Sequence, residues 1–350
     1  MREIVDGLLA WRAAGVSFAV ATVVHTWRSA PRQPGAAMAV SEHGEVLGSV
    51  SGGCVEGAVY AAAQEVLETG KSQTHTYGVS DGDALEVGLT CGGTIEIMIQ
   101  PAPALLGLDA LLSDISAGRP VATVSLPDAQ LVVRPDRIDG TLGDPELDRI
   151  AGAQARGLLA HGRSAIVTAC EREVFVQSWA APARMIVFGA IDFAAAVARI
   201  GKFLGYQVTV CDARGVFATP ARFPEADEVV VQWPHRYLES TDVDERTVLC
   251  VLTHDPKFDI PLLQVALRTP ARYIGAMGSR RTCDDRLTRL REAGVPEEAL
   301  ARLRAPIGLD LGARTPEETA VAIAAEIVAL SWGGSGTPLT ALTAPIHGGS

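Results

Sequence analysis

The spacing of apolar positions changes character near residue 182. Before that point the period is mixed. It predicts an amphipathic helix over 2–14 and a buried strand over Ser17–His25. A hairpin follows at Ser41-Glu42-His43-Gly44, then an Ala-rich helix over 54–69 and strands near 73–77 and 94–100. Pro101 and Pro103 break the chain. Residues 104–181 then read as two short helices, 105–117 and 145–159, with four short strands, a connecting α+β subdomain without a chemical motif. No stretch repeats another in sequence.

Beyond Ala180-Ala181-Pro182-Ala183-Arg184 the pattern becomes regular. Strand Met185–Phe188 leads to a helix over 192–204 and to strand Gln207–Cys211. Short strands at 228–231, 247–252 and 272–275 alternate with a helix over 259–268 and a long helix after Arg280. That alternation predicts a parallel sheet with helices on both faces. Thr315, Pro316 and Glu318 predict a last helix opening on a capping box. The expected fold is α/β: a mixed α/β domain over 1–103, the connecting subdomain over 104–181, a Rossmann-like domain over 182–332, and a Gly/Ser/Thr/Pro-rich tail over 333–350.

Composition narrows the function classes. The 350 residues carry 30 basic and 41 acidic side chains, a net charge of −11, which argues against a role resting on nucleic-acid binding. Only Lys71, Lys202 and Lys257 are lysines, so the cationic chemistry belongs to arginine, the better fork for phosphate and carboxylate. Charges in Met1–Gly7 interrupt any export signal, and the most apolar run, Phe18–Val24, is too short to span a bilayer. Six dispersed cysteines without a C-x-x-C pair argue against a disulfide framework or zinc ribbon and for a reducing cytoplasm.

In the second half, Val187-Phe188-Gly189-Ala190-Ile191-Asp192-Phe193-Ala194 falls where a strand turns into a helix. Gly189 and Ala194 fit the first and third positions of the dinucleotide fingerprint; Ile191 replaces the glycine that lets a pyrophosphate approach. Asp212, with Arg214 beside it, stands where an acid can hold ribose hydroxyls. Gly278-Ser279-Arg280-Arg281 offers amides, a hydroxyl and guanidiniums to an anion at a helix start. His254 and Asp255 form a candidate acid–base pair. All follow strands, at the edge where open α/β sheets bind ligands. NAD(P) is thus a candidate cofactor, disfavoured by Ile191.

The first half carries Gly48-Ser49-Val50-Ser51-Gly52-Gly53-Cys54-Val55-Glu56-Gly57, a glycine turn that sets Cys54 in the first turn of the Ala-rich helix. Helix-start amides there favour an anion and lower a thiol pKa. Leu89-Thr90-Cys91-Gly92-Gly93-Thr94 sets a second cysteine against two glycines, and Arg28 and Arg32 lie on a proline-stiffened loop, placed to hold phosphate or carboxylate. Cys170, Cys211, Cys250 and Cys283 read as small packing residues.

Arg28–Gly35, Gly48–Gly57 and Gly88–Glu96 resemble the N-terminal signature of the XdhC/CoxI family, accessory proteins of xanthine dehydrogenase-type molybdenum hydroxylases. Tyr273–Arg281 and Pro306–Glu318 resemble its C-terminal half. The resemblance implies binding of the molybdenum cofactor, its protection during sulfuration by a cysteine desulfurase, and its insertion into a hydroxylase client. It makes Cys54 and Cys91 the catalytic candidates and central contacts, with Ser51, Gly52, Gly53, Glu56, Gly92 and Gly93 around them; the expected location is the cytoplasm and the expected assembly a homodimer. Such a chain is a maturation chaperone rather than the hydroxylase. Two alternatives remain: an NAD(P)-dependent oxidoreductase, and a degenerate Rossmann scaffold for dimerisation and client docking. Ile191 and Asp192 depart from the family pattern at the nucleotide-type site.

Overall fold

The computed structural model describes residues 1–27, 32–78 and 93–343. The chain divides into two compact units, one built on Met1–Ala181 and one on Pro182–Leu342.

The first unit opens with α1 (Val5–Ala13), β1 (Phe18–Trp27), β2 (Ala37–Ser41), β3 (Val46–Gly48), α2 (Glu56–Thr69), β4 (Gln73–Tyr77) and β5 (Thr94–Pro101). The same succession follows in α3 (Leu108–Ser116), β6 (Val121–Leu126), β7 (Ala129–Val133), β8 (Ile138–Thr141), α4 (Pro145–His161), β9 (Ala165–Ala169) and β10 (Arg172–Trp179). The sheets also match: β3-β2-β1-β5-β4 and β8-β7-β6-β10-β9, antiparallel throughout. The unit is therefore a tandem pair of α-β-β-β-α-β-β modules, a repeat of topology that the sequence does not betray.

Alternation along each strand explains the packing, since neighbouring side chains leave opposite faces of a sheet. Phe18 and Val20 enter one core while Ala19, Ala21 and Val23 enter another. The first core is shared between modules. Leu8 and Trp11 of α1 meet Leu108, Leu111 and Ile115 of α3, together with Val121, Val132 and Trp179 of the second sheet. On the outer faces, α2 covers the first sheet and α4 the second. Residues 105–179 thus supply five strands rather than four, and form a full sheet-and-helix layer.

The second unit contains β11 (Arg184–Phe188), α5 (Asp192–Phe203), β12 (Gln207–Asp212), β13 (Glu228–Val231), α6 (Pro234–Ser240), β14 (Val248–Val251), α7 (Pro256–Ala266), β15 (Tyr273–Ala276), α8 (Arg280–Glu292), α9 (Glu297–Leu300), β16 (Leu303–Arg304) and α10 (Pro316–Trp332). Its strands are all parallel in the order β13-β12-β11-β14-β15-β16, the doubly wound Rossmann arrangement. The α10 capping box forms as the sequence predicts, with Thr315 and Glu318 each accepting from the other's backbone amide. Short α6 and two-residue β16 are additions to the expected pattern.

Cys211, Cys250 and Cys283 are buried, and burial pushes the Cys211 and Cys250 thiols up to about 12. Cys170 departs from the packing expectation: it is exposed, with φ of 47°, at the β9–β10 turn.

Candidate functional site

Strand direction selects one end of the first sheet. Because β1 pairs antiparallel with β2 and β5, and these pair antiparallel with β3 and β4, strands β1, β3 and β4 run the same way. Their carboxyl ends, Trp27, Gly48 and Tyr77, share one end of the sheet. The second module provides an internal standard for what the topology requires there. It joins the equivalent elements through 127–128, 142–144 and 170–171, where the first module uses 28–36, 49–55 and 78–93. At the opposite end the modules agree in length: 14–17 and 117–120, 42–45 and 134–137, 70–72 and 162–164. The three connections that are longer in the first module all start from this one sheet end, and loops that vary on a fixed scaffold are where function is commonly carried.

The connection 49–55 is organised by an acid from its own helix. Glu56 is the first residue of α2, and its carboxylate turns back into the loop. It accepts from the Ser49 and Ser51 hydroxyls at 2.5 Å each, and from the amides of Ser51, Gly52 and Gly53 at 2.8–2.9 Å. The Ser51 hydroxyl, turned to the other side, accepts from the amides of Cys54 and Val55 at 3.0 and 3.1 Å. Burial would raise the Glu56 carboxyl, but the serine hydroxyls and amides outweigh it and hold the group at about 2. Amides that the sequence suggests for an external anion thus cradle an internal one.

That arrangement changes the place of Cys54. The helix begins at Glu56 with Val55 as its N-cap, so Cys54 precedes the first turn rather than lying in it. The half-buried Cys54 packs against the α2 face of the first sheet. Gly52 and Gly53 have φ of 80° and 121°, and open space lies where their β-carbons would stand. Two positive φ values explain the glycine pair, and no described atom crowds the bare backbone ahead of Cys54. A half-buried sulfur next to such a surface fits a soft metal–sulfur centre. Arg32 lines a separate cavity and pairs with Glu3 at 2.6 Å. Gly93 is buried just ahead of β5. Arg28, Cys91 and Gly92 lie outside the described residues.

In the second unit the strand-end residues meet at the carboxyl edge of the sheet, but they bond mainly to one another. Gly189 has φ of 108°, and an added β-carbon would stand 2.9–3.0 Å from Thr253. Buried Asp212 accepts from the Ala190 amide at 2.7 Å and from the Arg214 guanidinium at 2.7 and 2.9 Å. Burial opposes its ionisation, yet Arg214 and the two amides hold its carboxyl below the usual range. The acid expected at ribose hydroxyls therefore closes the Gly189 turn. Ile191 packs against the sheet core, and Asp192 opens α5 with an exposed carboxylate that Arg222 approaches at 3.3 Å. A negative side chain in that first turn opposes a pyrophosphate.

The remaining candidates are dispersed among capping roles and solvent. Asp255 caps α7 and is engaged by Lys257, at 3.1 Å from the amide and 3.0 Å from the ammonium, instead of orienting His254. Ser279 caps α8 by accepting the Thr282 amide at 3.2 Å, and Gly278 precedes it against Thr282 and Cys283. Arg280 and Arg281 are exposed on the first turn. A feature missed from sequence is the buried pair Asp259–Arg286 at 2.6 Å. Asp259 also accepts from the Thr253 hydroxyl, while Arg286 donates to the Met277 carbonyl at 2.9 Å. The pair thereby ties the loops after β14 and β15. Among the described residues, no cluster of His, Cys, Asp and Glu has the makings of a metal site, and no helix is long and apolar enough to cross a membrane.

A duplicated β-rich unit with a cysteine on a carboxylate-pinned glycine loop, followed by a Rossmann unit, defines a two-domain protein of the accessory type that the signatures suggest. The chain belongs to the XdhC and CoxI family: residues 11–78 match the XdhC and CoxI family domain and residues 185–327 the XdhC Rossmann domain, in the expected order. It is 27% identical to the molybdenum cofactor insertion chaperone PaoD of Escherichia coli K12, over 94% of this chain and 87% of that protein. It is also 27% identical to a probable xanthine dehydrogenase subunit of Bacillus subtilis 168, over 88% and 92% respectively. A crystal structure described as a xanthine dehydrogenase from Bacillus halodurans superimposes with a TM-score of 0.71 at 26% identity, covering 93% of this chain and 95% of that one.

Proposed function

We propose that the protein is a molybdenum cofactor-binding accessory protein that holds the cofactor for sulfuration and for insertion into a xanthine dehydrogenase-type hydroxylase. The carrying observation is that the three longer connections of the first module all start from one sheet end, and that one of them carries Cys54 on the loop pinned by Glu56. The names of the relatives support the same role. When bound, the cofactor supplies a pterin dithiolene and a metal whose soft ligand sphere suits thiolate sulfur. In this reading Cys54 is a sulfur contact, Gly52 and Gly53 leave room for the flat ligand, and Glu56 fixes the loop so that the thiol keeps its position. Cys91 is proposed as the second contact. A molybdenum hydroxylase client and a cysteine desulfurase are the partners implied, and a cytoplasmic homodimer the expected assembly.

The test is retention. Protein purified from a molybdate-replete host should carry pterin and molybdenum in near-equal amounts, and Cys54→Ser should lower both by about tenfold, with unchanged circular dichroism. Absence of pterin and molybdenum from the wild type would overturn the proposal. The alternative of an NAD(P)-dependent oxidoreductase is opposed by Ile191, Asp192 and the engagement of Asp212 by Arg214.

A further inference from the structure

A cavity of about 350 Å³ opens in the first unit, away from the Glu56 cradle. Its walls come from three parts of the chain: Arg2 and Glu3 ahead of α1, the segment Arg32–Ala37 leading into β2, and Ser164 with Gln177–Trp179 beside β10. That volume is in the range of small-ligand sites. Gly35 permits the approach that shapes it. Its φ is 97°, and an added β-carbon would press on the Gln177 amide at 3.3 Å and touch the Ser164 hydroxyl at 3.7 Å.

The lining is a set of hydrogen-bond donors. Arg2 spends one nitrogen on the Ala180 carbonyl at 2.6 Å and keeps the rest of its fork; Arg32 spends one on Glu3. Gln177 bonds the Gly35 carbonyl at 2.8 Å, and the Ser164 hydroxyl accepts from the Ser178 amide at 3.0 Å. Ser178 contributes to the wall through its backbone: its hydroxyl is fully enclosed and lies on the opposite face of β10 from the Gln177 and Trp179 side chains. Among the described lining residues two are arginines and one, Glu3, is an acid; Glu3 pairs with Arg32 and is largely exposed. In a chain of net charge −11 this is a local excess of positive charge.

We infer that this cavity is an oxyanion site that takes the phosphate group of a compact phosphorylated ligand. Two guanidinium forks and the Ser164 hydroxyl supply more donors than the two oxygens of a carboxylate can accept, and they match the terminal oxygens of a phosphate. Glu3 occupies Arg32 in the ligand's absence, and an entering phosphate takes that place. The inference stands apart from the cofactor reading: a chain that retained no pterin would still bind phosphate here.

Calorimetric titration of the full-length, cofactor-free chain with inorganic phosphate, pyrophosphate and acetate tests it. The expected result is one site per chain for phosphate or pyrophosphate, with acetate weaker by about tenfold. Arg32→Gln should weaken phosphate binding by about tenfold or more, and Ser164→Ala by about threefold. Glu3→Gln should strengthen it severalfold, a gain that misfolding cannot produce. No saturable phosphate or pyrophosphate binding below about 10 mM in both the wild type and Glu3→Gln would overturn the inference. Binding indifferent to both Arg32→Gln and Glu3→Gln would overturn it equally, as that of an adventitious ion only.

Discussion

Arg286 reaches from the middle of α8 to Asp259 in α7 at 2.6 Å, with both side chains almost wholly buried. Through Thr253 on one side and the Met277 carbonyl on the other, this pair holds two strand-end loops of the Rossmann sheet. Breaking a buried pair strands a charge, so Asp259→Ala or Arg286→Ala should each cost about 3–5 kcal/mol. The apolar double variant Asp259→Leu/Arg286→Met should recover most of that loss. Urea unfolding of the four proteins checks it, and additive single effects would contradict the coupling.

The Glu56 cradle gives a pH signature of known sign. Its carboxyl is depressed from 4.5 to about 2 in the folded chain, so its contribution is complete above about pH 4.5. The contribution fades as pH falls through that window toward 2, where the folded group takes up its proton. Glu56→Gln should therefore be destabilised by about 1–3 kcal/mol at neutral pH, with the gap closing in acid. Denaturation of both proteins between pH 7 and 3 measures the gap; a constant difference would mean that the carboxylate is not the cause.

Gly189 tests how tightly the Rossmann turn is built. An alanine there would need φ of 108° and a β-carbon within 3.0 Å of the Thr253 backbone nitrogen. Gly189→Ala should cost about 1–3 kcal/mol. Thermal unfolding provides the measure, and an unchanged midpoint would show that the turn relaxes freely.

The nucleotide-type edge should be unresponsive to nicotinamide cofactors. Fluorescence titration with NADH is expected to give no saturable signal below about 1 mM. Ile191→Gly alone should not restore binding, because Asp192 still opens the helix and Asp212 is still engaged by Arg214. Micromolar binding by the wild type would reverse this reading of the turn.

What could be read from sequence followed from period. The Rossmann half has regular βαβ spacing and a helix opening on Thr315-Pro316, so its main elements fall where expected. Element β16, two residues long, leaves no pattern to read. The tandem modules stayed hidden because only their strand order is repeated, and strand order is a property of pairing partners rather than of residues. Glu56 did carry a signal: an acid directly after a glycine turn at a helix start is placed to cap it, and that use of the amides competes with any outside anion. Asp259–Arg286 carried none. The two are separated in sequence, and Arg286 sits in a helix whose neighbours are mostly charged, which reads as a solvated face.

The internal repeat of topology has a practical consequence. The second module shows how short the connections of this scaffold can be, and the first departs from it in the connections that follow Trp27, Gly48 and Tyr77. Shortening one of these toward its counterpart's length is therefore the change that separates what the scaffold needs from what the site needs.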